Sequence, residues 1–249
     1  TLGWTRDAFE AAQVRVLYGD TDSVFVQLPE SPAGGAAALA ARLRDEAARE
    51  VTRRLREVYG VDPRLELELE SVYERFFLPR VRGGGAGSKK RYAGLARGQL
   101  ELVGLESVRR DWPAVTARLQ RGMLERIFAD QDPVPFVREV VAAVRSGALD
   151  AELVYAKRVR KGALERYTAT TPPHVQAARK ATAPVGPVVR YVIARSGPEP
   201  VLPGRPLPEG IDREHAVLKL LRPVADAILR ELGRDFDEAL DLPRQLRLV

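Results

Sequence analysis

Apolar and polar positions alternate and cycle along this chain in blocks that read as structural elements. Residues 4 to 12 have the texture of a helix end. Val14 to Tyr18 and Ser23 to Leu28 are rich in β-branched and aromatic side chains and are joined by a short polar connection, which predicts a β-hairpin. The cluster PESPAGG then breaks the pattern. Beyond it Leu39, Leu43, Ala47, Val51 and Leu55 recur at helical spacing, so Ala36 to Tyr59 is expected to be a long helix covering one face of a sheet. The stretch LELELESVYERFFL, residues 65–78, alternates apolar with Glu at period two in its first half, which predicts a strand with one wet face. RVRGGGAGSKKRYAGL leads from a Gly-rich loop back to strand texture, and QLELVGLE at 99–106 can pair with it.

From Asp111 the texture turns helical. Asp111 is placed to cap a helix with Pro113 in its first turn and Val115, Leu119, Leu124, Ile127 and Phe128 on its apolar face. A second helix is expected over Val134 to Val144, a strand in PVVRYVIA, and a last long helix from about Asp212 to Leu232. The fold class expected is α+β: an antiparallel sheet with a hairpin and covering helix over residues 1–107, then a mainly α-helical part over 108–249.

Composition narrows the chemistry. The 249 residues, 45% hydrophobic, suffice for one large domain or two modest ones with a real core. Without cysteine there are neither disulfides nor thiolate metal sites, and the two histidines, His174 and His215, exclude a histidine-rich zinc centre. No run of eighteen apolar residues and no signal-peptide order occur, so no membrane partner is expected and the location expected is cytoplasmic. The chain opens on Thr1, as if on the tail of a helix, and a preceding segment is expected.

The net charge of +6 is unevenly spread. Between Ala151 and Arg195 nine Lys or Arg stand against two Glu, and between Glu74 and Arg97 seven stand against Glu74 alone. Two basic segments on an otherwise acidic chain suit a polyanion, although arginines scattered over solvated faces would give the same count.

The hairpin connection holds Asp20 and Asp22, one residue apart. Two carboxylates at the rim of a sheet repel each other, and a divalent cation with oxygen preference relieves that repulsion. Asp and Gly also make good turns, so spacing alone leaves both readings open. GGGAGSKK falls short of a phosphate-binding G-x-x-x-x-G-K-[ST] loop, because from Gly83 the second required Gly falls on Ser88. A loop presenting Lys89, Lys90 and Arg91 to phosphates remains. His174, in PPHVQAA, reads as a capped or packed histidine ahead of a catalytic one.

Taken jointly, these stretches resemble family B DNA polymerases. YGDTDS between two hydrophobic strands resembles the motif C hairpin, GSKKRYAGL the Lys-Lys-Arg-Tyr motif, and TPPHVQAARK the thumb signature, in the family's order. GLESVRRDWPAV, SGPEP and the closing QLRLV look most like bacterial members. The resemblance implies nucleotidyl transfer from deoxynucleoside triphosphates to a primer by a two-metal Mg2+ mechanism, in DNA replication and repair beside the nucleoid. By it, Asp22 is the direct metal ligand, Asp20 a more peripheral carboxylate, and Thr21 lies between them without a defined role. Lys90 and Tyr92 reach the minor groove near the primer terminus, with Lys89 and Arg91 on backbone phosphates. The basic 151–195 segment, Lys157, Arg158, Arg160 and Lys161 included, becomes the thumb surface that grips primer–template DNA.

The C-terminus, Gln245, Leu246, Arg247, Leu248 and Val249, resembles the sliding-clamp pentapeptide Gln-Leu-x-Leu-Phe with Val in place of Phe, which implies weakened clamp binding. The family's other palm aspartate, its fingers lysine and its exonuclease patterns do not occur here. The chain is therefore expected to be the end of a palm plus a thumb, inactive in isolation. Other readings stay open: a non-catalytic nucleic-acid-binding module derived from a palm and thumb, a different two-metal enzyme, or a structural domain without DNA affinity.

Overall fold

The structure is a computed structural model describing residues 1–30, 32, 34–79, 90–159, 171–183 and 186–242. Its Cα atoms gather into two compact units. One draws on Thr1–Val81 and Gly94–Glu101, with Lys90, and the other on Arg91–Ala93 and Leu102–Val249.

In the first unit, α1 (Leu2–Ala11) runs almost directly into β1 (Arg15–Asp20), which turns back as β2 (Ser23–Gln27). The pairing is antiparallel with Asp20 opposite Ser23, so Thr21 and Asp22 alone form the loop. After the breaker cluster comes α2 (Ala36–Tyr59), built of strong helix formers and ended by Gly60 in the left-handed region, where a missing Cβ removes the steric penalty. Its inward row is Leu43, Ala47 and Val51, each four residues from the next and buried. This row packs on α1, and α1 packs on the hairpin, where the Leu2 side chain lies beside Gly19. The expectation that α2 itself covers the sheet is corrected: only residues 12–14 separate α1 from β1, so α1 takes the place nearest the hairpin.

The strand expected over 65–78 is corrected as well. Only Arg75–Phe77 (β3) joins a ladder, as the edge of a sheet ordered β3-β4-β5 with Tyr92–Ala96 (β4) and Gln99–Val103 (β5). Residues 65–70 form no strand, and Leu65 and Leu69 stay 36% and 37% exposed. Alternation decides which side chains share a face, but a strand also needs a neighbour for its N–H and C=O groups, and none among the described residues pairs there. Gly94 on β4 is required by packing: a Cβ there would sit 2.2 Å from the Tyr73 ring.

The second unit has a helical core. In it α3 (Ala114–Phe128) and α4 (Val134–Ser146) pack with a helical run from Arg213 to Leu232. That run comprises α6 (Arg213–Ala216), a π-turn over Val217–Leu221, α7 (Arg222–Leu229) and a 3-10 turn, and Asp212 caps it by accepting the His215 N–H at 2.8 Å. Val115, Leu119, Met123, Leu124, Val137, Val141, Leu221 and Ile228 are fully or almost fully buried. Asp111 does not cap α3, whose N-cap is Pro113; its carboxylate accepts from Arg109 at 3.2 Å instead and lies 3.6 Å from the Lys157 ammonium.

The unit also holds a three-stranded antiparallel sheet, β6-β7-β8, from Tyr155–Arg158 (β6), Val188–Ala194 (β7) and Gly197–Pro200 (β8). The short helix α5 (Pro173–Lys180) covers one face, laying Ala177 and Ala178 on Val189 and Tyr191. A last turn, α8 (Phe236–Ala239), buries Phe236. No helix among the described residues is long and apolar enough to cross a membrane.

Candidate functional site

The two-residue loop between β1 and β2 forces its backbone into an uncommon shape. Thr21 sits at φ 56°, and the Asp22 N–H donates back to the Asp20 carbonyl at 2.6 Å. A β-branched residue in the left-handed region carries steric strain, and such strain collects where a site must hold side chains in a fixed pose. The strained residue here separates the two aspartates. Asp20 is half-buried and Asp22 exposed. Each carboxylate meets one adjacent hydroxyl at the long limit of hydrogen bonding: Thr21 Oγ1 at 3.4 Å from Asp20, and Ser23 Oγ at 3.5 Å from Asp22. Among the described residues neither carboxylate pairs with a lysine or arginine. The donor set is hard oxygen on a tight turn, which fits Mg2+ in chemistry. Among the described residues no group of three or more His, Cys, Asp and Glu could hold a metal, so the pair supplies two carboxylates and no more.

Tyr18, two residues before Asp20, joins this hairpin to the basic motif. Its hydroxyl accepts the Lys90 backbone N–H at 2.8 Å, and Lys90 itself turns at φ 52°. The Tyr18 ring is braced by a run of aromatics: Phe25 at 5.9 Å between centroids, then Phe76 stacked on Phe25 at 5.1 Å, then Tyr73 at 5.5 Å from Phe76. Hairpin and Lys90 are thus brought together in the first unit. The Lys90 side chain is exposed and has no acidic partner among the described residues.

Arg91 is held quite differently. Its Nη2 donates to Glu106 Oε1, while Gln120 Nε2 donates to the other Glu106 oxygen at 2.9 Å. The Gln120 carbonyl oxygen in turn accepts the Ser107 N–H at 2.8 Å. Gln120 lies on α3 and is 1% exposed. Burial works to raise the Glu106 pKa, but the Gln120 amide and the Arg91 charge outweigh it and hold the carboxyl below its usual range. Tyr92, the next residue, opens β4 and is half-buried.

On the second unit's sheet, register separates Lys157 from Arg158. Lys157 lies opposite Val189 and Arg158 opposite Val188. Lys157 therefore shares the face of buried Val189 and Tyr191 and pairs with Asp111. Burial, with a smaller push from the Asp111 charge, drives the Tyr191 pKa up to about 12. Arg158 points to the other face beside Arg190; both are exposed, and Arg158 has no acidic partner among the described residues. His174, in the first turn of α5, is half-buried; burial and then the Lys157 charge lower its pKa. Lys89, Arg160, Lys161, Gln245, Leu246, Leu248 and Val249 lie outside the described residues.

Sequence reasoning did not single out Tyr18, Glu106 or Gln120. Tyr18 had a signal, an aromatic two positions before a carboxylate on one strand. Glu106 and Gln120 had none, because Glu106 lies fifteen residues beyond Arg91 and Gln120 a further fourteen beyond Glu106.

The model of DNA polymerase family B matches residues 3–215 of this chain. The chain is 36% identical over 247 residues to DNA polymerase II of Escherichia coli (strain K12), covering 93% of this chain and 31% of that protein. It is 31% identical over 167 residues to the DNA polymerase delta catalytic subunit of Bos taurus, covering 62% of this chain and 13% of that protein. Among solved structures, the family B DNA polymerase of the hyperthermophilic archaeon Pyrobaculum calidifontis matches with a TM-score of 0.60 at 28% identity, covering 92% of this chain and 28% of that one. The chain therefore spans about a third of the length of these relatives or less.

Proposed function

The chain belongs to DNA polymerase family B, and from that premise we propose that it is the end of the palm (residues 1–107) and the thumb (108–249) of a DNA-directed DNA polymerase. Asp22, exposed at the hairpin tip, holds a divalent cation directly, and Asp20 keeps the local field negative from a more peripheral position. Mg2+, when bound there, supplies Lewis-acid polarisation of the phosphoryl oxygens during nucleotide transfer. The strained turn fixes the carboxylates before substrate arrives, which removes a reorganisation cost from the chemical step.

The remaining roles concern DNA. Lys90 and Tyr92 reach the minor groove near the primer terminus, and Lys89 meets backbone phosphate. Lys157, Arg158, Arg160 and Lys161 hold the duplex on the thumb. Such contacts carry little base information, which suits an enzyme that must accept every template sequence. The substrates are primer–template DNA and deoxynucleoside triphosphates. The tail Gln245–Val249 docks on a sliding clamp, and the enzyme works in the cytoplasm at the nucleoid.

The observation that carries this reading is the Tyr18–Lys90 hydrogen bond, which ties the carboxylate hairpin to the basic motif. The test is primer–template binding by the full-length polymerase, titrated with salt, for wild type and Lys89→Ala/Lys90→Ala. A steep salt slope that becomes shallower in the double variant is expected. Identical slopes for the two would remove the basic motif from the DNA-binding surface.

A further inference from the structure

We propose that Glu106 and Gln120 hold the Arg91 guanidinium against its own unit and off the DNA backbone, so that Arg91 is a positioning residue for Tyr92 and not a phosphate contact. This rests on the polymerase reading above and deepens it at the same motif. It also removes one residue from the DNA contacts that the family resemblance implies.

The geometry leaves little freedom. Gln120 is buried, and its carbonyl oxygen is committed to the Ser107 N–H, so its amide nitrogen must face Glu106. That donor takes one carboxylate oxygen and turns the other toward Arg91. The Glu106 side chain is 17% exposed, and the Arg91 Nε is buried without an acceptor among the described residues. Swinging Arg91 out to a phosphate would strand a part-buried carboxylate, which is the more costly arrangement. Lys90 and Arg158 contrast with it, since their charges face solvent without acidic partners among the described residues. Because Arg91 directly precedes β4, locking its side chain also fixes the backbone from which Tyr92 projects.

The salt slope of primer–template binding by the full-length polymerase separates a gripping arginine from a held one. Each phosphate contact contributes about 0.9 to the slope. Arg91→Gln should leave the wild-type slope unchanged. Glu106→Gln, which keeps the side-chain shape and removes the charge that restrains Arg91, should steepen it by about 0.9. The double variant Glu106→Gln/Arg91→Gln should return to the wild-type value, and because it leaves no unpaired charge it guards against a folding artefact. A slope shallower by about 0.9 in Arg91→Gln would show that Arg91 grips phosphate and overturn the inference. Unchanged slopes in all three variants would overturn the restraining role of Glu106. A wild type with no salt-dependent binding would overturn the polymerase reading itself, which none of the variant outcomes does.

Discussion

The hairpin tip and the Arg91 network treat carboxylates in opposite ways. At the tip, the half-buried Asp20 and the exposed Asp22 meet, among the described residues, only neighbouring hydroxyls at 3.4 and 3.5 Å, on a turn whose Thr21 is strained at φ 56°. Beside α3, Glu106 has an arginine on one oxygen and an amide on the other, and the amide is itself anchored to the backbone. Asp150 shows the second pattern again, with both oxygens taken by Arg213 at 2.9 and 2.7 Å. Where a carboxylate supports the fold, its lone pairs are filled from within. At the hairpin tip no lysine or arginine among the described residues fills them, which is the arrangement the proposed cation site requires, and Thr21 carries the local strain.

This contrast can be broken or sharpened by substitution, and activity should respond most. Asp22→Asn in the full-length polymerase should lower primer extension more than about 100-fold, and Asp20→Asn by roughly 10-fold or more, as measured by single-turnover incorporation. On the other side of the comparison, Glu106→Ala leaves Arg91 and Gln120 without their acceptor. It should cost about 1–3 kcal/mol, read as a lower urea midpoint.

Acid should find the same difference. Glu106 titrates below its ordinary value of 4.5 in the folded state, so its stabilisation is complete above that value and is lost as pH falls through the lowered one. Urea midpoints across the acid range should therefore drop less steeply for Glu106→Gln than for wild type. Tyr18→Phe removes the acceptor of an exposed amide and should cost under about 1 kcal/mol, with faster hydrogen exchange at the Lys90 N–H as its signature. The smallest effect is expected at Arg158→Gln: a salt slope for DNA binding shallower by about 0.9, with stability within about 0.5 kcal/mol of wild type.

What could be read in advance was what depends on neighbours in sequence. The hairpin, α2 and α4 follow from periodicity and turn residues, and Asp20 and Asp22 stand out because a tight turn leaves them nowhere to hide. Residues 65–70 misled because alternation fixes a face but cannot supply a pairing strand. Asp111 misled because a cap competes with any nearby cation, and Arg109 and Lys157 took its carboxylate. Arg91 looked equivalent to Lys89 and Lys90 because the carboxylate and amide that restrain it come from distant parts of the chain. Charge type was visible in the sequence, but charge pairing required the fold.

The most direct test of the central contrast is the thermal midpoint of Asp20→Asn/Asp22→Asn, measured on the same preparation as its primer extension. Neutralising the pair removes a like-charge repulsion that no internal cation offsets among the described residues. Extension should be lost while stability stays equal to wild type or rises by up to about 1 kcal/mol. A midpoint that falls as far as that of Glu106→Ala would mean the aspartates hold the fold together, and the separation of chemical from structural carboxylates would be wrong.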